Sequence, residues 1–343
     1  MITKTAQTLQ RSGYEIPGKQ NWQSELARAV RDPAELLALL DLPTSLLPAA
    51  QRAVELFPLR VPHSFIARMR RGDMHDPLLR QILPLADELE QTRGVSDPVG
   101  DLDASVSPGL LHKYHGRALM ITTGACAIHC RYCFRRHFPY ASQQAGSQQW
   151  ADMRDYLMQH SEIEEIILSG GDPLSLSDHR LAECIDQLHA IPHLTTLRIH
   201  TRLPVVLPER VTQTLLHTLA SSRLQVVIVL HINHANEIDT DVAQAVAALR
   251  RLDIQCLNQA VLLRGVNDSS ETLIQLSKHL FANGILPYYL HQFDPVRQAH
   301  HFEVEIDRGR QLWNELQARL PGYLVPRYVQ EIPGHSAKMP VSL

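Results

Sequence analysis

The sequence predicts an α/β protein whose main body is an open (β/α)6 partial barrel. Three observations carry that expectation. From residue 117 to residue 320, six strand-length apolar runs alternate with six helix-length amphipathic ones. Strands separated by helices of that length build right-handed βαβ units and a parallel sheet. Six units are too few to close an eight-stranded barrel. Most of the chemically loaded motifs fall just behind strands, at the carboxyl edge where parallel sheets bind ligands.

Taken in order, the first hundred residues read as short helices. Asp32-Pro33 and Asp76-Pro77 each set a capping carboxylate before a proline, the pattern of a helix start. Apolar residues at helical spacing follow at 34–40 and 78–82, and Ser64 is a candidate cap for a further helix reaching Arg70. Residues 94–109, rich in Gly, Asp, Ser and Pro, read as a linker. Region 1–105 is therefore expected to be helical extension plus linker, and 106–320 the core. Within the core, strands are expected at 117–123, 165–169, 196–200, 224–231, 255–263 and 286–293. Helices are expected at 150–160, 178–191, 211–220, 241–252, 270–283 and 307–320. A strand-like tail beginning near Tyr323 completes a C-terminal segment, 321–343.

Composition bounds the function. The 343 residues are 44% hydrophobic and 20% charged, enough for a sizeable core. A net charge of −3 points to neither a nucleic-acid nor a membrane surface. The polar stretch 1–20 lacks the apolar centre of a signal peptide, and no apolar run approaches membrane-spanning length. Five cysteines, three of them clustered, argue against a disulfide framework and for the cytoplasm.

That cluster is the chemical centre of the chain: Cys126, Cys130 and Cys133, followed by Phe134, Arg135 and Arg136. Thiolates select zinc or an iron–sulfur cluster. A structural zinc wants four ligands, and Cys184 and Cys256 are solitary and distant. Three cysteines on a cubane leave one iron open, as catalysis requires. A Cys3His zinc site using His129 or His137 is the alternative. Behind the second strand stands Ser169-Gly170-Gly171-Asp172-Pro173, where glycines permit close backbone approach and Asp172 can anchor an ammonium group. A plain glycine turn reads equally well. Near the C-terminus, Pro333-Gly334-His335-Ser336-Ala337-Lys338 presents a lysine able to form a Schiff base with pyridoxal phosphate (PLP), or simply a surface lysine on a tail. His200, His231 and His234 sit at strand ends, as pocket residues or as structural ones.

The C-x3-C-x2-C spacing resembles the signature of radical S-adenosylmethionine (SAM) enzymes. With Phe57–Pro62, Asp76–Gln81, Leu111–Leu119, Cys130–Arg136, Ser169–Leu174, His200–Pro204, His231–Glu237, Leu262–Asp268 and Pro287–Tyr289, the chain resembles the lysine 2,3-aminomutase family, which also uses PLP. The resemblance implies a partial TIM barrel with a [4Fe–4S] cluster on Cys126, Cys130 and Cys133, and SAM against Gly170, Gly171, Asp172 and Pro173. It makes Lys338 the PLP Schiff-base lysine, with Lys113 and Arg117 on the phosphate. Arg135 would pair with the α-carboxylate of L-lysine, and Asp294 and Glu331 with its distal ammonium. Glu331 replaces an aspartate there, which bears on substrate pose and product handedness. The loop before Lys338 and the chain's end five residues later are similar to the branch that makes (R)-β-lysine for elongation factor P. That branch implies a ligase as functional partner and an electron donor of flavodoxin or ferredoxin type. A free-lysine or other amino acid aminomutase, and a non-enzymatic Fe–S or zinc module, are the competing expectations.

Overall fold

Near-continuous apolar strands are the first cause of the architecture. In the computed structural model, which describes residues 21–90, 93–143 and 147–341, runs such as Ile166-Ile167-Leu168 and Ile228-Val229-Leu230 are buried on both faces. That is the pattern of a parallel sheet covered by helices. The polar stretch 1–20 lies outside the described residues. Among the described residues ten strands form one sheet in chain order: β1 Ser105–Ser107, β2 Leu110–Tyr114, β3 Arg117–Thr123, β4 Glu165–Gly170, β5 Thr196–Thr201, β6 Gln225–His231, β7 Gln255–Val261, β8 Leu286–His291, β9 Arg327–Gln330 and β10 Met339–Pro340. Strands β3 to β9 run parallel, while β1, β2 and β10 are antiparallel at the two edges.

The six expected strands are β3 to β8. The crossover helices are Ser147–Gln159, Asp178–His189, Gln213–Ala220, Thr240–Arg250, Ser270–Ala282 and Ile306–Arg319. Four of them start at a side-chain cap that accepts a backbone N–H: Ser177, Thr212, Asp239 and Ser269. In Asp178–His189 the buried residues Leu181, Cys184, Ile185 and Leu188 share one face, so Cys184 is core. Cys256, in β7, is buried as well.

The sheet extends past the six-unit body at both ends. Residues 94–109, expected as linker, contain β1 and lead into the β2–β3 hairpin, whose turn uses Gly116 at φ 75°. At the far edge the C-terminal tail supplies β9 parallel to β8, and β10 folds back on β9. The strand-like tail expected from near Tyr323 contains β9 and β10, whereas β1 and β2 are short and left little periodic signal in the sequence.

In the N-terminal region, Asp32 caps Pro33–Leu39 and Asp76 caps Pro77–Arg80, as expected. Ser64 caps nothing. The helix there is one turn long, His63–Ile66, and the Ser64 hydroxyl donates to the Val206 carbonyl at 2.7 Å, tying this region to the barrel. Leu36, Phe65 and Leu79 belong to the same hydrophobic cluster as Ile166, Leu197 and Ile228. No helix among the described residues is long and apolar enough to cross a membrane.

Candidate active site

The cysteine loop leaves the carboxyl end of β3 and is clamped from behind. Arg131, fully buried, donates from Nε and Nη2 to the two oxygens of Glu88 at 2.8 and 2.6 Å, and from Nη1 to the Phe57 carbonyl at 2.7 Å. Arg136 reaches the same carboxylate at 2.9 Å, and Arg60 donates to the Cys126 carbonyl at 3.0 Å. The arginines of the loop, with Arg60, thus tie it to the N-terminal segment. Of the two zinc-ligand candidates, His129 uses Nδ1 on the Pro58 carbonyl at 2.9 Å and His137 uses Nε2 on the Arg297 carbonyl at 3.4 Å.

The three thiols share one environment. Burial, and then the Cys133 charge, push the Cys126 thiol well above its ordinary value, and burial with the Cys130 charge pushes Cys133 up to about 11. Bare, Cys126 and Cys133 hold their protons, and a positively charged centre is what makes such thiols ligands. Among the described residues no three ligand side chains gather at the spacing of a single ion. Arg202 donates from Nη1 to Cys130 Sγ at 2.7 Å.

The Gly-Gly-Asp-Pro turn has a role that sequence did not anticipate. A Cβ on Gly170 would lie 2.5 Å from the Thr123 carbonyl oxygen, and one on Gly171 would lie 2.4 Å from that of Ala125. The glycines let the end of β4 touch the cysteine loop itself, with Gly171 N donating to Thr123 O and Asp172 N to Ala125 O at 2.7 and 2.8 Å. Asp172 differs more sharply from expectation. Its Oδ1 accepts from the Thr201 hydroxyl and Leu174 N, and its Oδ2 from Arg202 N and Leu203 N, all at 2.7–3.0 Å. A carboxylate offers about four acceptor positions, so Asp172 has none left for an ammonium group. Pro173 opens the short turn that Asp172 caps.

A second group gathers beside the loop. Lys113, from β2, donates to Glu331 Oε1 at 2.9 Å and forms an ion pair with Asp101 Oδ1 at 2.6 Å. Glu331, just past β9, also accepts from the Lys338 ammonium. Arg135 donates from Nε to Asp101 Oδ2 at 2.6 Å and from Nη1 to the Ser169 hydroxyl at 2.9 Å, leaving Nη2 without a protein partner among the described residues. Arg117 stacks on Tyr114 with 4.7 Å to the ring centre, and among the described residues its guanidinium has no ion pair. Asp294 follows β8, where burial and the Glu331 charge raise its carboxyl to about 7.

These charges set one another. Burial would raise the Glu331 carboxyl, but Lys338 and Lys113 hold it well below the usual carboxylate range. Burial would lower the Lys113 ammonium, but Asp101 and Glu331 keep it above its ordinary value. His200 and His291, at the ends of β5 and β8, face the same cations. Burial together with Arg198 and Lys338 drives His200 well down, and burial with Lys338 takes His291 to about 3, so both are neutral donors or acceptors.

A model of the radical SAM superfamily matches residues 120–276. The L-lysine 2,3-aminomutase of Escherichia coli (strain K12) is 50% identical over 95% of this chain and 96% of its own length. That of Haemophilus influenzae is 47% identical over 94% and 96%, and that of Clostridium subterminale 31% identical over 94% and 77%. The chain belongs to the lysine 2,3-aminomutase family.

Lysine 2,3-aminomutases are isomerases with a [4Fe–4S] cluster, SAM and PLP as cofactors. The residues fit such groups: three thiols on one loop with a sulfur-directed donor, and a lysine that shares a partly buried carboxylate with a second cation. Sequence reasoning missed Asp101, Tyr114, Arg202, Glu237 and His291. Arg202 and Glu237 stand in motifs that carried the resemblance, so the signal was present. Asp101 carried none, because its segment read as linker.

Proposed function

We propose that this chain is an L-lysine 2,3-aminomutase, moving the α-amino group of lysine to the β-carbon. One observation carries the proposal: the cysteine loop and the Lys113–Glu331–Lys338 group meet at one end of one sheet, linked by Arg135, which directly follows the loop. When bound, the cluster with SAM supplies hydrogen-abstracting radical chemistry, and PLP supplies electron delocalisation for the migrating nitrogen.

In this reading Cys126, Cys130 and Cys133 hold the cluster. Gly170, Gly171, Asp172 and Pro173 shape the SAM side of the pocket through backbone and packing. Lys338 holds PLP, with Lys113 as a point charge and Arg117 as a planar fork for its phosphate. Arg135, steadied by Asp101, presents Nη2 to the substrate carboxylate. Asp294 and Glu331 receive the distal ammonium. Lys338 and Lys113 occupy Glu331 in the present arrangement, so these three partners must exchange as the pocket fills. Histidines kept neutral by burial add hydrogen-bonding capacity without adding positive charge.

The finer reading is (R)-β-lysine as product, supplied to a ligase that modifies elongation factor P, with a flavodoxin- or ferredoxin-type protein as electron donor. The Pro333–Lys338 loop supports that branch. Five unpaired cysteines support a reducing, cytoplasmic setting. The test is anaerobic incubation of reconstituted protein with lysine, SAM, PLP and dithionite, with chiral separation of products and a Cys126→Ala control. Appearance of (R)-β-lysine only with intact Cys126 supports the whole reading, and the (S) product would remove the elongation factor branch. SAM cleavage with untouched lysine would overturn the substrate.

A further inference from the structure

Arg202 is a buried side chain directed at the cysteine loop, and the function above leaves it unused. It lies at the end of β5 and is 6% exposed. Nη1 donates to Cys130 Sγ at 2.7 Å and to the Tyr132 hydroxyl at 2.8 Å. Nη2 donates to Gln81 Oε1 at 2.6 Å and to Glu237 Oε2 at 2.9 Å. Its backbone N–H is held by Asp172 at 2.7 Å. The other oxygen of Glu237 accepts from Gln81 Nε2, Asn233 N and His234 N at 2.9–3.1 Å. The guanidinium therefore has no freedom to leave the sulfur, and Glu237 has no freedom to leave the guanidinium.

We propose that Arg202 is a positioning residue that raises the electron affinity of the cluster through Cys130, with Glu237 limiting the effect. The proposal rests on the cysteine loop holding the [4Fe–4S] cluster. A ligating thiolate keeps lone pairs free, so the N–H···S contact survives cluster binding. In the redox step one electron passes from an external one-electron reductant to the oxidised cluster, the reductant is oxidised, and no bond at Arg202 is made or broken. The reduced cluster carries one more negative charge, concentrated on iron and sulfur. A permanent, buried cation donating to one sulfur stabilises that state over the oxidised one. Hydrogen bonds to the sulfurs and net charge are established determinants of cluster potential. Glu237 offsets part of this field while fixing its direction. The backbone link to Asp172 makes the device continuous with the turn against the SAM side, so the two sides of the site are set by one strand end.

The test is an anaerobic titration with dithionite, followed by the electron paramagnetic resonance signal of the reduced cluster, on wild type, Arg202→Gln, Arg202→Lys and Glu237→Gln. Each protein is reconstituted and normalised to its iron content. Arg202→Gln is expected to disfavour reduction about tenfold to hundredfold, a midpoint lower by about 60–120 mV at 59 mV per tenfold. Arg202→Lys, keeping charge but losing the fork, is expected to fall less. Glu237→Gln, similar in shape but uncharged, is expected to move the midpoint upward. Opposite signs are what a merely structural role would not produce. Potentials that do not move, or that move the same way in Arg202→Gln and Glu237→Gln, overturn the proposal. If Arg202→Gln does not fold, Arg202→Lys and Glu237→Gln decide the sign. A wild-type protein that takes up no four-iron cluster would instead refute the functional reading on which this one rests.

Discussion

Asp294 shows how one side chain's surroundings become a pH dependence. Burial and the Glu331 charge raise its carboxyl to about 7, so below that pH the empty site holds a proton there. A lysine ammonium pairs with the carboxylate form, and binding must expel the proton. KM for lysine is therefore expected to rise by up to about tenfold per pH unit below 7, while kcat changes less; a KM flat from about pH 6 to 8 would refute Asp294 as the ammonium site. The stability sign follows from the same shift. Between the ordinary carboxylate range and about 7, the folded chain holds a proton that the unfolded chain has released, so stability falls as pH rises through that window. Glu331, held low by Lys338 and Lys113 against its burial, works oppositely and loses its contribution on acidification.

At the scale of elements, the turn after β4 is where packing constrains chemistry. Gly171 and Ala125 belong to neighbouring connections that touch backbone to backbone, and a methyl on Gly171 would meet carbonyl and peptide atoms at 2.4–2.8 Å. None of these can swing aside as a side chain would, so the cysteine loop must move. Gly171→Ala is expected to cost about 1–3 kcal/mol and to lower iron uptake on reconstitution, with the far-ultraviolet circular dichroism unchanged. Full iron content in that variant would show that the contact does not position the loop. The turn itself was visible in sequence as a glycine pair. Its partner was not, because only the fold brings residues 124 and 125 against it.

Over the whole molecule, the N-terminal helices and the barrel share one hydrophobic cluster, and Arg131 and Arg136 lock the cysteine loop to Glu88. The region expected as an extension is thus a wall of the core. Leu36→Ala, at a fully buried position far in sequence from the cysteines, is expected to cost about 2–5 kcal/mol and to lower a single cooperative transition. Denaturation followed by tryptophan fluorescence and circular dichroism checks this; two separated transitions would mean that the helices fold as a unit of their own.

Periodicity, capping residues and motif spacing determined the six parallel strands, the crossover helices and the cysteine loop, because those signals are local and repeat every few residues. The resemblance of whole motifs named the candidates Lys338, Arg135 and Asp294. Only the tertiary structure decided which charges face one another: Asp101 against Arg135 and Lys113, Glu331 between two lysines, Arg202 on Cys130. It also turned Asp172 from a ligand candidate into a brace. The charge pairings join side chains 7 to 218 residues apart in the chain. Burial, which makes such pairings strong, belongs to the packed molecule rather than to any stretch of sequence.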